Sequence, residues 1–123
     1  MKKIIVTLPL LIISILSIAQ QNKYKVSVIG FYNLENLYDT VNNPNISDEE
    51  FLPESDRHYN SRIYWDKLDR LSTVLSMMGT EINPDGLGIL GVAEIENDTV
   101  LNDLIKMPKL KERKWKIVHY DSP

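Results

Sequence analysis

The sequence has no cysteine. That excludes disulfides, thiolate metal sites, a cysteine nucleophile and a lipid anchor on an N-terminal cysteine. Histidine is scarce, with two residues in 123, so a metal centre built from several imidazoles is excluded too. Glycine is also sparse, at five residues, and no glycine-rich phosphate-binding loop is present. Internal repeats and low-complexity stretches are absent beyond the N-terminus. No basic excess is available to attract nucleic acid: the formal net charge is −3.

The one long apolar run lies at the start. Lys2 and Lys3 precede an uncharged stretch over residues 4–18, and Ser17-Ile18-Ala19 puts small residues where a signal peptidase cuts. Residues 1–19 therefore read as a secretory signal, the run being short for a membrane span of about 20 residues. The other reading of the same run is an uncleaved N-terminal anchor. We expect a periplasmic or secreted bacterial protein with no stable membrane anchor. Removing residues 1–19 takes away two of the 14 basic residues and none of the 17 acidic ones, leaving a net charge of −5. A chain of this sign that acts on phosphates needs a cation to screen them.

From residue 20 onward, strand and helix patterns alternate. Residues 23–33 (KYKVSVIGFYN) are β-branched and aromatic and predict a strand ending at Asn33. Residues 39–59 carry Pro44, Pro53 and five acids between Asp48 and Asp56, and read as a long solvated loop. The loop is no EF-hand, because Val41 and the missing glycine break that pattern. Over residues 61–80, Tyr64, Leu68, Leu71, Leu75 and Met78 recur on one helical face, with Gly79 at the end. A turn at Asn83-Pro84-Asp85-Gly86 leads into a second strand, GILGVAEIEN. Asn97 or Asp98 can cap a short helix with Val100, Leu101, Leu104 and Ile105 on one face, stopped by Pro108. Residues 115–120 (WKIVHY) predict a third strand.

Two strands end in acids and amides: Phe31-Tyr32-Asn33-Leu34-Glu35-Asn36-Leu37 and Val92-Ala93-Glu94-Ile95-Glu96-Asn97. Strand C-terminal ends are where layered α/β folds meet ligands. If the strands are neighbours, Asn33 and Glu94 approach each other and form a hard, oxygen-only site suited to Mg²⁺ or Mn²⁺. Glu35, two residues beyond Asn33, shares its face if the strand continues. The plainer reading is that Glu94 ends a strand and that Glu96, Asn97 and Asp98 start the next helix. His58 reads as solvated, and His119 as structural or substrate-facing. Lys111, Arg113, Lys114 and Lys116 form either a solvated turn or a phosphate contact.

FYNLENLYD followed by ILGVAEIEN resembles the endonuclease/exonuclease/phosphatase superfamily, the group of DNase I and the exonuclease III type repair nucleases, in its secreted bacterial form. The resemblance implies an α+β fold: part of a four-layer α/β-β/α sandwich, represented by its first sheet and the helices of that sheet. It implies that Glu94 is the principal metal ligand, that Asn33 helps hold the metal and position the phosphate, and that Glu35 is an acid near the metal. Ala93 replaces the glutamine many relatives carry before the metal glutamate. The implied cofactor is Mg²⁺, or Mn²⁺ or Ca²⁺. The implied partner is nucleic acid or another phosphate ester, hydrolysed by a water that an Asp deprotonates while a His contacts the phosphate. The later Asp-x-Asn motif and terminal Asp-His pair of such enzymes do not occur here. Residues 20–123 are accordingly expected to be the N-terminal part of such a domain, inactive in isolation and with an exposed sheet face. A nuclease leads; a lipid or inositol-phosphate phosphatase, a sphingomyelinase-like hydrolase and a non-catalytic secreted binding module are the alternatives. The resemblance implies no particular oligomeric state.

Overall fold

The computed structural model describes residues 24–120. The expected signal, residues 1–19, lies outside the described residues. Within them the order is strand β1 (Val28–Leu37), helix α1 (Ser61–Met77), strand β2 (Leu87–Ile95) and helix α2 (Asp98–Lys106), with single 3-10 turns at Glu49–Phe51 and Lys111–Arg113. β1 and β2 pair in parallel, with Ile29 opposite Ile89, Tyr32 opposite Val92 and Asn33 opposite Ala93. This is the α+β architecture expected, a mixed sheet-and-helix fold with α1 as the crossover between parallel neighbours.

The helices form where the apolar stripe and a capping amide agree. Asn60 opens α1 by accepting the backbone N–H groups of Arg62 and Ile63, and Tyr64, Leu68, Leu71 and Leu75 are buried. Met78 ends the helix, and Gly79 follows with φ +75°, where a β-carbon would also crowd Val28. Of the two residues able to cap α2, Asn97 does so, accepting from Thr99 and Val100. Val100, Leu101 and Leu104 face inward. Tyr64 on α1 donates its hydroxyl to Asp103 on α2 at 3.0 Å, which joins the two helices.

The core lies between the helices and one face of the sheet. Leu34, Leu37, Leu68, Leu75, Val100 and Leu110 are almost fully buried, with Tyr32, Leu90 and Val92 packed against them. On the other face Ile29, Phe31 and Ile89 are exposed by 71%, 68% and 59%. Among the described residues nothing covers that apolar face.

Besides small shifts at element ends, with β1 starting at Val28 and α1 ending at Met77, three features differ from the sequence reading. β1 does not stop at Asn33 but runs on to Leu37 through an irregularity in the pairing. The long loop is not simply solvated. Tyr38 stacks on Phe51 with ring centroids 4.2 Å apart, Tyr59 meets Phe51 edge-on, and Asp48 is buried. Residues 115–120 show the alternating burial of a strand but join no sheet among the described residues. A cleft of about 490 Å³, lined by Leu90 and Val92 of β2, Leu101 of α2, and Trp115 and Ile117, separates the segment from β2. The Trp115 indole donates to the Leu87 carbonyl at 3.3 Å, so a side chain occupies the acceptor that begins β2. Of the basic cluster, Arg113 is structural. It donates to the carbonyls of Asp85 and Ser76 and lies over the Trp115 ring.

Candidate functional site

The site is made where both strands abandon regular geometry at the same level. Pairing stops at Asn33–Ala93 and resumes at Leu37–Ile95, so residues 34–36 of β1 face Glu94 alone. Glu35, Asn36 and Glu94 take left-handed backbone angles, with φ of +53°, +56° and +57°. Outside glycine such angles cost on the order of 1 kcal/mol each, and they persist only where neighbouring groups hold them. Non-glycine left-handed residues gathered on two adjacent strands mark this end of the sheet as built for something other than strand continuity.

The holding groups are specific. The Asn33 side-chain amide donates to Glu94 Oε1 at 2.7 Å. Its carbonyl oxygen accepts the Glu35 backbone N–H, also at 2.7 Å. Both ends of one carboxamide are thus engaged, one fixing the bulge and the other fixing the carboxylate. Lys67, from α1, donates its Nζ to the Glu35 carbonyl at 2.5 Å and to the Asn36 carbonyl at 2.9 Å. Burial pushes the Lys67 amine below its ordinary value of 10.5, with nearby Glu35 acting to restore it, Arg70 lowering it further and Glu94 again raising it.

The structure therefore brings Asn33 and Glu94 into direct contact. It brings Glu35 to them through its backbone; left-handed geometry at Glu35 breaks the alternation that a continuing strand would have given. Glu96 and Asn97 separate in role. Asn97 caps α2, whereas Glu96 staples the long loop by accepting the Asp39 N–H at 2.8 Å while its own N–H meets the Leu37 carbonyl. His58 is exposed on the loop, and His119 lines a cleft of about 480 Å³ with Asn43, Glu96 and Asn97.

Sequence periodicity places Lys67 off the apolar face and so misses its part in the site. A signal was available. Lys67 follows Tyr64 by three residues and precedes Leu71 by four, so it borders the buried stripe. There a lysine can lay its stem along apolar surface and carry its ammonium to a sheet edge.

Burial also pushes the Glu96 carboxyl above its ordinary 4.5; the Asp39 amide opposes this, and the Asp39 and Asp48 charges add to it. An acid held above its unfolded value binds its proton more tightly when folded. Its contribution to stability therefore falls as pH rises from below 4.5 through the folded value, and the cost is complete at neutral pH. Glu96→Gln keeps an acceptor for Asp39 and removes the charge. Urea denaturation should show this variant gaining stability relative to the native chain between about pH 4 and pH 7. The same difference at both pH values would contradict this role of the Glu96 charge.

The donors can be matched to a metal by their chemistry. Glu94 is exposed, its Oε1 is taken by Asn33, and the carboxylate retains lone pairs for a cation. Among the described residues no group of three or more His, Asp or Glu side chains is gathered to hold a metal ion. A chelating cage is therefore not what these residues offer. An exposed carboxylate held by an amide N–H fits Mg²⁺, which keeps several of its waters and shares its remaining positions with substrate phosphate, while the Asn33 oxygen is engaged by the Glu35 N–H.

A model of the Endonuclease/Exonuclease/phosphatase family matches residues 28–123. No curated protein and no solved structure matches the chain.

Proposed function

The chain belongs to the endonuclease/exonuclease/phosphatase family, whose members are generally hydrolases of phosphate esters, and from that premise we propose a divalent-metal-dependent phosphodiesterase, with nucleic acid as the leading substrate. The observation that carries the proposal is the 2.7 Å contact between Asn33 and Glu94 at the paired ends of two parallel strands. Residues 61 positions apart in sequence are held together there at a cost in backbone geometry. Glu94 is assigned to hold Mg²⁺ or Mn²⁺, and Asn33 to orient Glu94 and face the phosphate. Glu35 contributes its backbone N–H to Asn33 and a negative charge that acts on Lys67. The bound ion supplies polarisation of the phosphoryl oxygens and screening of phosphate charge that an acidic chain cannot supply itself. Export to the periplasm or beyond is part of the same proposal and is supported by the sequence of residues 1–19.

The test is hydrolysis by the full translation product of the gene. Plasmid DNA, RNA, phospholipid vesicles and bis-nitrophenyl phosphate are offered with Mg²⁺ or Mn²⁺, with and without EDTA. Cleavage of DNA or RNA that EDTA abolishes is expected. Cleavage of phospholipid alone would move the substrate class, and metal-independent cleavage would refute the role of Glu94.

A further inference from the structure

We infer that Lys67 is a positioning residue for the metal carboxylate, acting through backbone and Asn33 rather than by touching substrate. This rests on the metal reading of Glu94. The chain of contacts is short and each link is a hydrogen bond. The Lys67 ammonium holds the carbonyls of Glu35 and Asn36, two consecutive left-handed residues. That fixes the Glu35 N–H against the Asn33 carboxamide oxygen. The other end of the same carboxamide holds Glu94 Oε1.

The physical need is plain. Without a donor, two adjacent carbonyls would point the same way at the end of a sheet, and the left-handed pair would relax toward ordinary strand geometry. Relaxation swings the Glu35 N–H away from Asn33 and frees the carboxamide to turn. Glu94 then loses the Asn33 amide and becomes a mobile exposed carboxylate. Lys67 suits the task because its stem crosses from α1 and its ammonium has three donors for two acceptors. The same charge is attracted by both the Glu35 and the Glu94 carboxylates.

The experiment measures Mn²⁺ affinity by electron paramagnetic resonance on the full translation product, with folding followed by circular dichroism and thermal midpoint. Lys67→Met keeps the stem and removes the donors. It is expected to stay folded and to weaken Mn²⁺ binding about tenfold, the loss typical of a residue that orients a ligand. Asn33→Ala should lose a similar amount, and the double variant no more than either single one, because both act on Glu94 in series. Lys67→Arg, whose guanidinium can give one N–H to each of the two carbonyls, should retain most of the affinity. Additive losses, or a folded Lys67→Met with native affinity, would overturn the inference. Glu94→Gln separates the two readings. If it abolishes binding while Lys67→Met does not weaken it, only the role of Lys67 fails. If Glu94→Gln binds Mn²⁺ as tightly as the native protein, the metal reading fails and the role of Lys67 falls with it. Should Lys67→Met unfold, Lys67→Gln, which keeps two neutral N–H donors on a shorter stem, replaces it with an intermediate loss expected, and unchanged affinity there overturns the inference equally.

Discussion

Glu94→Gln is expected to lower metal-dependent phosphodiester hydrolysis by the full translation product about a hundredfold or more while leaving its fold unchanged. The substitution is close to isosteric. A glutamine Oε1 still accepts from the Asn33 amide, so the 2.7 Å contact that organises the strand ends survives. What disappears is the negative charge proposed to hold the ion. A Lewis acid at a phosphoryl oxygen contributes several kcal/mol to the transition state, and about 3 kcal/mol corresponds to about a hundredfold in rate. Glu94 is exposed and in a left-handed conformation, so the charge contributes little to folding and its loss should not shift the thermal midpoint appreciably. Hydrolysis of bis-nitrophenyl phosphate over a Mg²⁺ series reads the first effect, and a melting curve reads the second. A rate that stays native at all metal concentrations would remove Glu94 from the site. A rate lost together with the fold would show that the carboxylate is structural.

Leu68→Ala is expected to be strongly destabilising. Leu68 is fully buried and sits in one cluster with Leu34, Leu37, Leu75 and Val100. Truncating a buried leucine costs about 3 kcal/mol from lost transfer energy and the cavity left behind. A domain of this size has roughly 5–15 kcal/mol in all, and here an apolar sheet face with Ile29, Phe31 and Ile89 gains nothing from burial. The variant should therefore show a marked drop in urea midpoint. Val74→Ala, on the exposed side of α1, is the matched control and should change little. Equal shifts in the two variants would mean that α1 does not pack on the sheet through its Leu68 face. Lys67 is the immediate neighbour of Leu68 on α1, so loosening the helix should also weaken Mn²⁺ binding in Leu68→Ala under conditions where it remains folded.

Much of this molecule is legible along the chain because short-range chemistry dictates it. The helix over Tyr64, Leu68, Leu71 and Leu75 follows from the spacing of apolar residues, since only one helical face can be hidden. Asn97 as a cap follows from an amide placed before a helical run. The acid-rich ends of two strands mark Asn33 and Glu94 as a pair worth bringing together, and residues 28–123 carry enough of the family pattern to fix membership.

Other features depended on neighbours that no local pattern reveals. Residues 115–120 have strand composition, yet pairing requires an accessible edge at the right distance, and a cleft lies between this segment and β2. Asp48 and Tyr59 look like loop residues, yet both are buried: Tyr59 meets the Phe51 ring that stacks on Tyr38, and Asp48 accepts the Asn43 N–H. The sequence alone determined where strands and helices can form and which side chains carry charge at strand ends, because periodicity and side-chain chemistry are local. Only the tertiary structure decided that both strands turn left-handed at one level, and that Asn33 holds Glu94 while Lys67 holds the bulge. Those choices rest on hydrogen bonds between residues 31 to 61 positions apart, and their energies exist only once the helix and both strands are packed together.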